Sequence, residues 1–169
     1  MKKLSLFVLL CGLAITAGCV TTPSATNSDS NTTPNQDSKP QAKQNNNILD
    51  LSGTGLEKVS QDVFTMTDLE ELNVSNNNLT GALPAEIRRL QKLRVLNASD
   101  NKMTGVPAEV GQLQNLEVLD LSNNQLTGLP YELGNLQNLK TFNLSGNNYS
   151  KQDLEIIRKK LPAGVNIIL

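Results

Sequence analysis

The chain has 169 residues, with 15 basic against 16 acidic side chains and a formal net charge of −1. Charge so nearly balanced argues against a nucleic-acid partner, which needs a concentrated basic face. There is no His and no Trp, and the two cysteines, Cys11 and Cys19, precede position 20, which excludes a disulfide framework in the rest of the chain. Without His or a later Cys, the common metal-ligand sets and nucleophile–base pairs cannot be assembled.

Met1, Lys2 and Lys3 open the chain, and an apolar run over residues 4–17 follows. A short charged start before a short apolar run is the pattern of a secretory signal. The run falls below the roughly 20 apolar residues that a spanning helix needs. Thr16-Ala17-Gly18-Cys19 resembles the lipobox of bacterial lipoproteins. That resemblance implies cleavage before Cys19, a diacylglycerol thioether on its sulfur, and N-acylation with a chain such as palmitate. Cys11 follows Leu9-Leu10, lacks the small residue that cleavage needs, and is read as part of the apolar run. In a source with two membranes, Val20 in place of Asp would direct such a lipoprotein to the outer membrane. Loss of Lys2 and Lys3 with the signal leaves 13 basic against 16 acidic residues, a net charge of −3. Several acyl chains give durable anchoring, each buried CH₂ contributing about 0.8 kcal/mol.

Residues 19–47 are dominated by Thr, Ser, Asn, Gln and Pro, with almost no large apolar side chain. Such a stretch cannot bury enough apolar surface to offset its ordering entropy. It is read as a disordered tether, spanning about 30 Å as a coil.

From residue 48 a period appears. Leu69-x-x-Leu72-x-Val74-x-x-Asn77-x-Leu79 recurs 24 residues later as Leu93-x-x-Leu96-x-Ala98-x-x-Asn101-x-Met103. It recurs after 23 more as Leu116-x-x-Leu119-x-Leu121-x-x-Asn124-x-Leu126, and after another 23 as Leu139-x-x-Phe142-x-Leu144-x-x-Asn147-x-Tyr149. An irregular copy precedes them, with Asn46 at its lead, Leu49, Leu51 and Leu56 at the apolar places, and Thr54 at the Asn place. Terminal repeats are commonly atypical because one side faces water.

Over residues 46–161 this pattern resembles the leucine-rich repeat family. The resemblance implies an α/β fold: a right-handed solenoid of about five coils with short parallel strands on its concave side. It also implies that Asn77, Asn101, Asn124 and Asn147 point inward and bond backbone groups at each bend. They are therefore read as structural residues. Pro84, Ile87 and Leu90 recur as Pro107, Val110 and Leu113, then as Pro130, Leu133 and Leu136. Apolar places three apart after a Pro predict short helical turns on the convex side. Val59, Val63 and Met66 hold the matching places in the first coil. Ser150-Lys151-Gln152-Asp153 has the form of a capping box, followed by a helix of about ten residues that ends before Pro162. Val165, Ile167 and Ile168 are expected to form a closing edge strand, completing a repeat domain over 48–169.

Residues between the apolar places face the concave side in three columns. Ile48, Glu71, Val95, Val118 and Thr141 form the first; Asp50, Asn73, Asn97, Asp120 and Asn143 the second; Ser52, Ser75, Ser99, Ser122 and Ser145 the third. Beside them Glu70, Arg94, Glu117 and Lys140 alternate in sign, which mutual pairing across strands would explain. The first two columns, chiefly Asp50, Glu71, Asn73, Val95, Asn97, Val118, Asp120, Thr141 and Asn143, are the candidate partner-binding residues. They include no Trp, Tyr or Phe, the residues that dominate tight interfaces together with Arg. Phe142 is placed in the core, and Phe64 and Tyr131 on the convex side. No catalytic set, metal site or cofactor motif is found; Gly53-Thr54-Gly55 lies in a coil bend, not in a phosphate loop. The expectation is a monomeric, non-enzymatic, lipid-anchored protein of a bacterial cell envelope that binds a protein partner. The alternative is a structural spacer without a dedicated partner.

Overall fold

Alternation of buried Leu with polar residues makes each copy of the motif a three-residue strand, with side chains turned alternately in and out. In the computed structural model, which describes residues 43–45 and 47–169, nine strands occur. Seven build the main sheet: β1 (Lys43–Asn45), β2 (Ile48–Asp50), β3 (Glu71–Asn73), β5 (Val95–Asn97), β7 (Val118–Asp120), β8 (Thr141–Asn143) and β9 (Asn166–Ile168), side by side in that order. The other two, β4 (Thr80–Gly81) and β6 (Lys102–Met103), form a small parallel pair. The expected signal segment, Cys19, Asn46 and the expected tether up to residue 42 lie outside the described residues.

From β2 to β9 the main sheet is parallel and in strict register. Leu49, Leu72, Leu96, Leu119, Phe142 and Ile167 stand opposite one another along its inner face. β1 was not anticipated, because its sequence Lys-Gln-Asn carries no apolar signal and falls inside the expected tether. It pairs antiparallel with β2, Gln44 opposite Leu49, and so gives the sheet a polar outer strand.

Opposite the strands, 3-10 helices occupy Gln61–Thr65, Ala85–Arg89, Ala108–Gln112 and Tyr131–Asn135. Pro84, Pro107 and Pro130 stand just before three of them in extended conformation, where a missing N–H costs nothing. Their inward residues Val63, Ile87, Val110 and Leu133 are buried against the leucines of the strands. Phe64, placed on the helix side by its position, is fully buried, whereas Tyr131 is 47% exposed.

The last coil differs, as anticipated. Its outer element is a true α-helix, α1 (Lys151–Arg158), eight residues rather than ten. Ser150 Oγ accepts from the Asp153 N–H at 3.3 Å. The expected return bond from Asp153 is not made, Asp being one methylene shorter than the usual partner. Asp153 instead accepts from the Leu129 N–H and the Tyr131 hydroxyl, each at 3.3 Å, tying α1 to the preceding coil.

The inward amides follow a single rule. Asn124 Nδ2 shares its protons among the carbonyls of Leu121 and Ser122 in its own coil (3.1 Å each) and Ala98 in the coil before (3.0 Å). Its Oδ1 accepts from the Met103 N–H at 2.9 Å. Asn101 and Asn147 repeat the pattern, with Oδ1 accepting from Leu79 and Leu126. Asn77 repeats it too, reaching the Leu51 carbonyl and the Leu56 N–H of the first coil. Thr54 stands in for Asn there and donates to Leu51 O at 2.7 Å.

A second column supports the bend. Gly53, Asn76, Asp100, Asn123 and Gly146 have φ values of +64°, +53°, +53°, +51° and +70°. Only Gly, Asn and Asp enter this left-handed region at low cost. The turn directs the N–H of Gly53, Asn76, Asp100 and Asn123 to the serine carbonyl of the next coil at 2.8–3.1 Å.

Each buried group left unpaired costs about 1–3 kcal/mol. Asn124→Ala leaves the Met103 N–H unpaired and takes one of two donors from the carbonyls of Ala98, Leu121 and Ser122, so it should lower stability by about 1–3 kcal/mol in a denaturant titration. Asn147→Ala should cost less, because Asn147 is half-exposed and water can replace part of its bonding.

Candidate functional site

The register assembles the expected surface. Ile48, Glu71, Val95, Val118 and Thr141 are mutual cross-strand neighbours, and Asp50, Asn73, Asn97, Asp120 and Asn143 form the adjoining line. β9 extends both lines, with Asn166 beside Thr141 and Ile168 beside Asn143. All nine candidate residues thus share one sheet face. Glu71 is exposed, and the other eight are half-buried by their neighbours.

The Asp/Asn line has structural work. In each strand Oδ1 accepts from the backbone N–H two residues on: Asp50 from Ser52 at 2.9 Å, Asn73 from Ser75 at 3.1 Å, Asn97 from Ser99 at 3.0 Å, Asp120 from Ser122 at 2.9 Å and Asn143 from Ser145 at 3.2 Å. These local bonds close the strand ends, a task for which Asp and Asn are suited. The serine hydroxyls of Ser122 and Ser145 add bonds to the same oxygens, at 2.6 and 2.9 Å. Asn143 Nδ2 donates to Asp120 Oδ2 at 3.0 Å, joining the last two members. Val95 and Val118, neighbours in the middle of the face, have no such role.

The charged column forms the ladder that alternation of sign requires. Arg94 reaches Glu70 at 4.0 Å and Glu117 at 3.1 Å, and Lys140 reaches the other oxygen of Glu117 at 2.6 Å. Asn47 Nδ2 donates to Glu70 at 2.9 Å and continues the ladder to the first coil. The Lys140 ammonium and the Arg94 guanidinium hold the Glu117 carboxyl below its ordinary range. Hydrogen bonding to Glu117 in turn raises Arg94. A separate pair, Lys92–Asp68 at 2.6 Å, lowers the Asp68 carboxyl and raises the Lys92 ammonium through the same contact. These exposed, mutually neutralised charges stiffen the edge of the face without marking a ligand. Asn115 and Asn138, which lie outside the repeated Leu/Asn motif, donate to Gln91 O and Gln114 O one coil back, each at 2.8 Å. Their signal was the shared 23-residue spacing.

Among the described residues, no group of three or more His, Cys, Asp or Glu is arranged to hold a metal ion, and no helix is long and apolar enough to cross a membrane. The chemistry on offer is that of a non-covalent surface: a half-buried apolar strip, an amide and carboxylate line beside it, and a neutral ionic border.

The family model for the leucine rich repeat matches residues 45–103, and the model for two copies of the repeat matches residues 91–131 and 114–159. A curated relative, the 3′-5′-exoribonuclease subunit Ccr4 of the CCR4-Not complex from Schizosaccharomyces pombe, is 51% identical over 51 residues, which is 30% of this chain and 7% of that protein. Among solved structures, a leucine-rich repeat protein of Leptospira interrogans superposes with a TM-score of 0.62 at 42% identity, covering 66% of this chain and 28% of the other. The repeat ectodomain of the receptor kinase GASSHO1/SCHENGEN3 from Arabidopsis thaliana, in complex with CASPARIAN STRIP INTEGRITY FACTOR 2, superposes with a TM-score of 0.56 at 32% identity, covering 66% of this chain and 14% of the other. The chain therefore spans only a small part of the length of each of these three.

Because the folded state prefers ionised Glu117, its pairs add stability that is complete above the ordinary carboxyl value of 4.5. That increment fades as pH falls through the lowered folded value. A Glu117→Gln variant should melt below the parent protein at neutral pH, and the two midpoints should converge in acid. The gap should also narrow in high salt, since both pairs are exposed.

Proposed function

The chain belongs to the leucine-rich repeat family, and from that premise we propose that its concave strand face binds a protein partner. One observation carries this: Val95 and Val118 lie side by side, half-buried, beside an Asp/Asn line whose Oδ1 atoms are engaged by the scaffold. A partner covering the strip removes apolar surface from water without breaking a bond of the scaffold. Asn73, Asn97 and Thr141 border the strip and supply orienting polar contacts. The Arabidopsis repeat ectodomain, solved in complex with CASPARIAN STRIP INTEGRITY FACTOR 2, supports a binding role for a repeat domain of this kind.

The protein is further proposed to be a non-enzymatic, monomeric lipoprotein of the bacterial cell envelope. Its anchor would be Cys19 and its tether the polar stretch after it. The lipobox-like residues support the anchor, and the small-residue and amide composition of 20–42 supports the tether. On the same reading the coils wind right-handed, and α1 with β9 forms the C-terminal cap. The spacer alternative draws on the Asp/Asn line, whose acceptors close strand ends and need no partner to explain them.

Chemical crosslinking on intact cells should capture a defined protein with the parent chain, and Val95→Lys/Val118→Lys should reduce capture by about tenfold, or 1.4 kcal/mol. Capture insensitive to those changes would remove the strip as a site, and no capture would favour the spacer.

Cys19→Ser, expressed in a bacterium, should move the protein from the membrane to the soluble fraction and abolish the lipid mass increment. Unchanged fractionation and mass would remove the anchor.

A further inference from the structure

In a repeat protein most coils present the same chemistry, so a distinct site is sought where the period breaks. The break is in coil two. From its inward Asn to its helix-opening Pro it runs from Asn77 to Pro84, one residue more than Asn101 to Pro107 or Asn124 to Pro130. The extra residue is taken up at Gly81-Ala82. Gly81 has φ +70°, while its counterparts Gly105 and Gly128 take no positive φ. Beside this bulge the small sheet stops at β4, and coil one adds no strand to it.

The helix side of the same junction is also held apart. Coils three and four carry Gly111 and Gly134 where coil one carries Phe64. The glycine permits close stacking, because a Cβ on Gly111 would lie 2.1 Å from the Glu132 carbonyl oxygen of the next coil. Phe64 does not permit that approach.

Between coils one and two a cavity of about 160 Å³ results. Val59, Leu79, Leu83 and Met103, all core residues, form its floor. Glu57 and Lys58 stand exposed at its mouth. Among the described residues neither side chain has an ion-pair or hydrogen-bond partner. An apolar cavity of about 150 Å³ holds a benzene-sized molecule, so the floor has room for an aliphatic side chain. One free carboxylate next to one free ammonium is poorly matched to a ligand of a single charge. It matches a ligand carrying both.

We propose that this cavity binds a free aliphatic α-amino acid of leucine or methionine size. The side chain lies on Leu79, Leu83 and Met103, the ammonium faces Glu57, and the carboxylate faces Lys58. The site is independent of the strand face and of its partner.

The test is an NMR titration of the full chain with L-leucine, following the amides of Lys58, Thr80 and Ala82 and the Met103 methyl. Saturable shifts confined to these groups are expected. Glycine, which lacks the side chain, and isoamyl alcohol, which lacks the charges, should each bind at least about tenfold more weakly. N-acetyl-leucinamide should behave like the alcohol. Ala82→Phe, at an exposed position over the mouth, should abolish the shifts, and Glu57→Gln and Lys58→Met should each weaken binding by about tenfold. The proposal is overturned by the absence of saturable shifts, or by an unaltered titration in the mouth variants. It is also overturned by isoamyl alcohol or N-acetyl-leucinamide binding as well as leucine, the latter pointing to a side chain within a polypeptide.

Discussion

A single amide per coil governs the whole stack. Apolar burial supplies the main driving force here, but it is non-directional and would tolerate leucines sliding past one another. The inward Asn does not tolerate sliding. It bonds two carbonyls of its own coil together with one carbonyl and one N–H of the coil before, so its two sides must keep a fixed offset. A one-residue slip would strand four backbone groups in an environment without water. Register is therefore set at the bend and inherited by the strands.

Fixed register turns a list of residues into columns, and columns have uses that isolated residues lack. Glu70, Arg94, Glu117 and Lys140 pair because they are stacked, and Asp120 meets Asn143 for the same reason. Much of the polar chemistry on the strand face is thereby spent on the fold itself. What remains unspent is the valine pair at its centre. Without Trp or Tyr beside it, such a strip suits a partner of moderate affinity better than a permanent complex.

The repeat was legible because its signals are periodic and redundant. Four copies of Leu and Asn at matched spacing leave little room for another fold, and the columns follow by counting. The surface roles were harder to see. Asn97 read as a candidate binding residue, because nothing in a sequence shows that its oxygen turns back to the Ser99 N–H. The left-handed column was visible only as a run of Gly, Asn and Asp, residues equally common in any polar loop. β1 escaped because strand pairing is made by the backbone, which leaves no compositional trace in a polar stretch such as Lys43-Gln44-Asn45. Asp153 escaped for a different reason: its partners, Leu129 and Tyr131, are more than twenty residues distant.

The same amide rule explains why irregularity collects where it does. Asn77 ties coil two to coil one through Leu51 and Leu56 as tightly as any later Asn ties its pair. The strand side of that junction is consequently regular, and the extra residue of coil two cannot be absorbed there. It must appear further along the coil, past the last ladder contact, and Gly81 is the first residue beyond Leu79 able to bend the chain into the left-handed region. The gap above Leu83 and Met103 is thus the counterpart of the ordered sheet. A stack that allowed its strands to slip could have closed it.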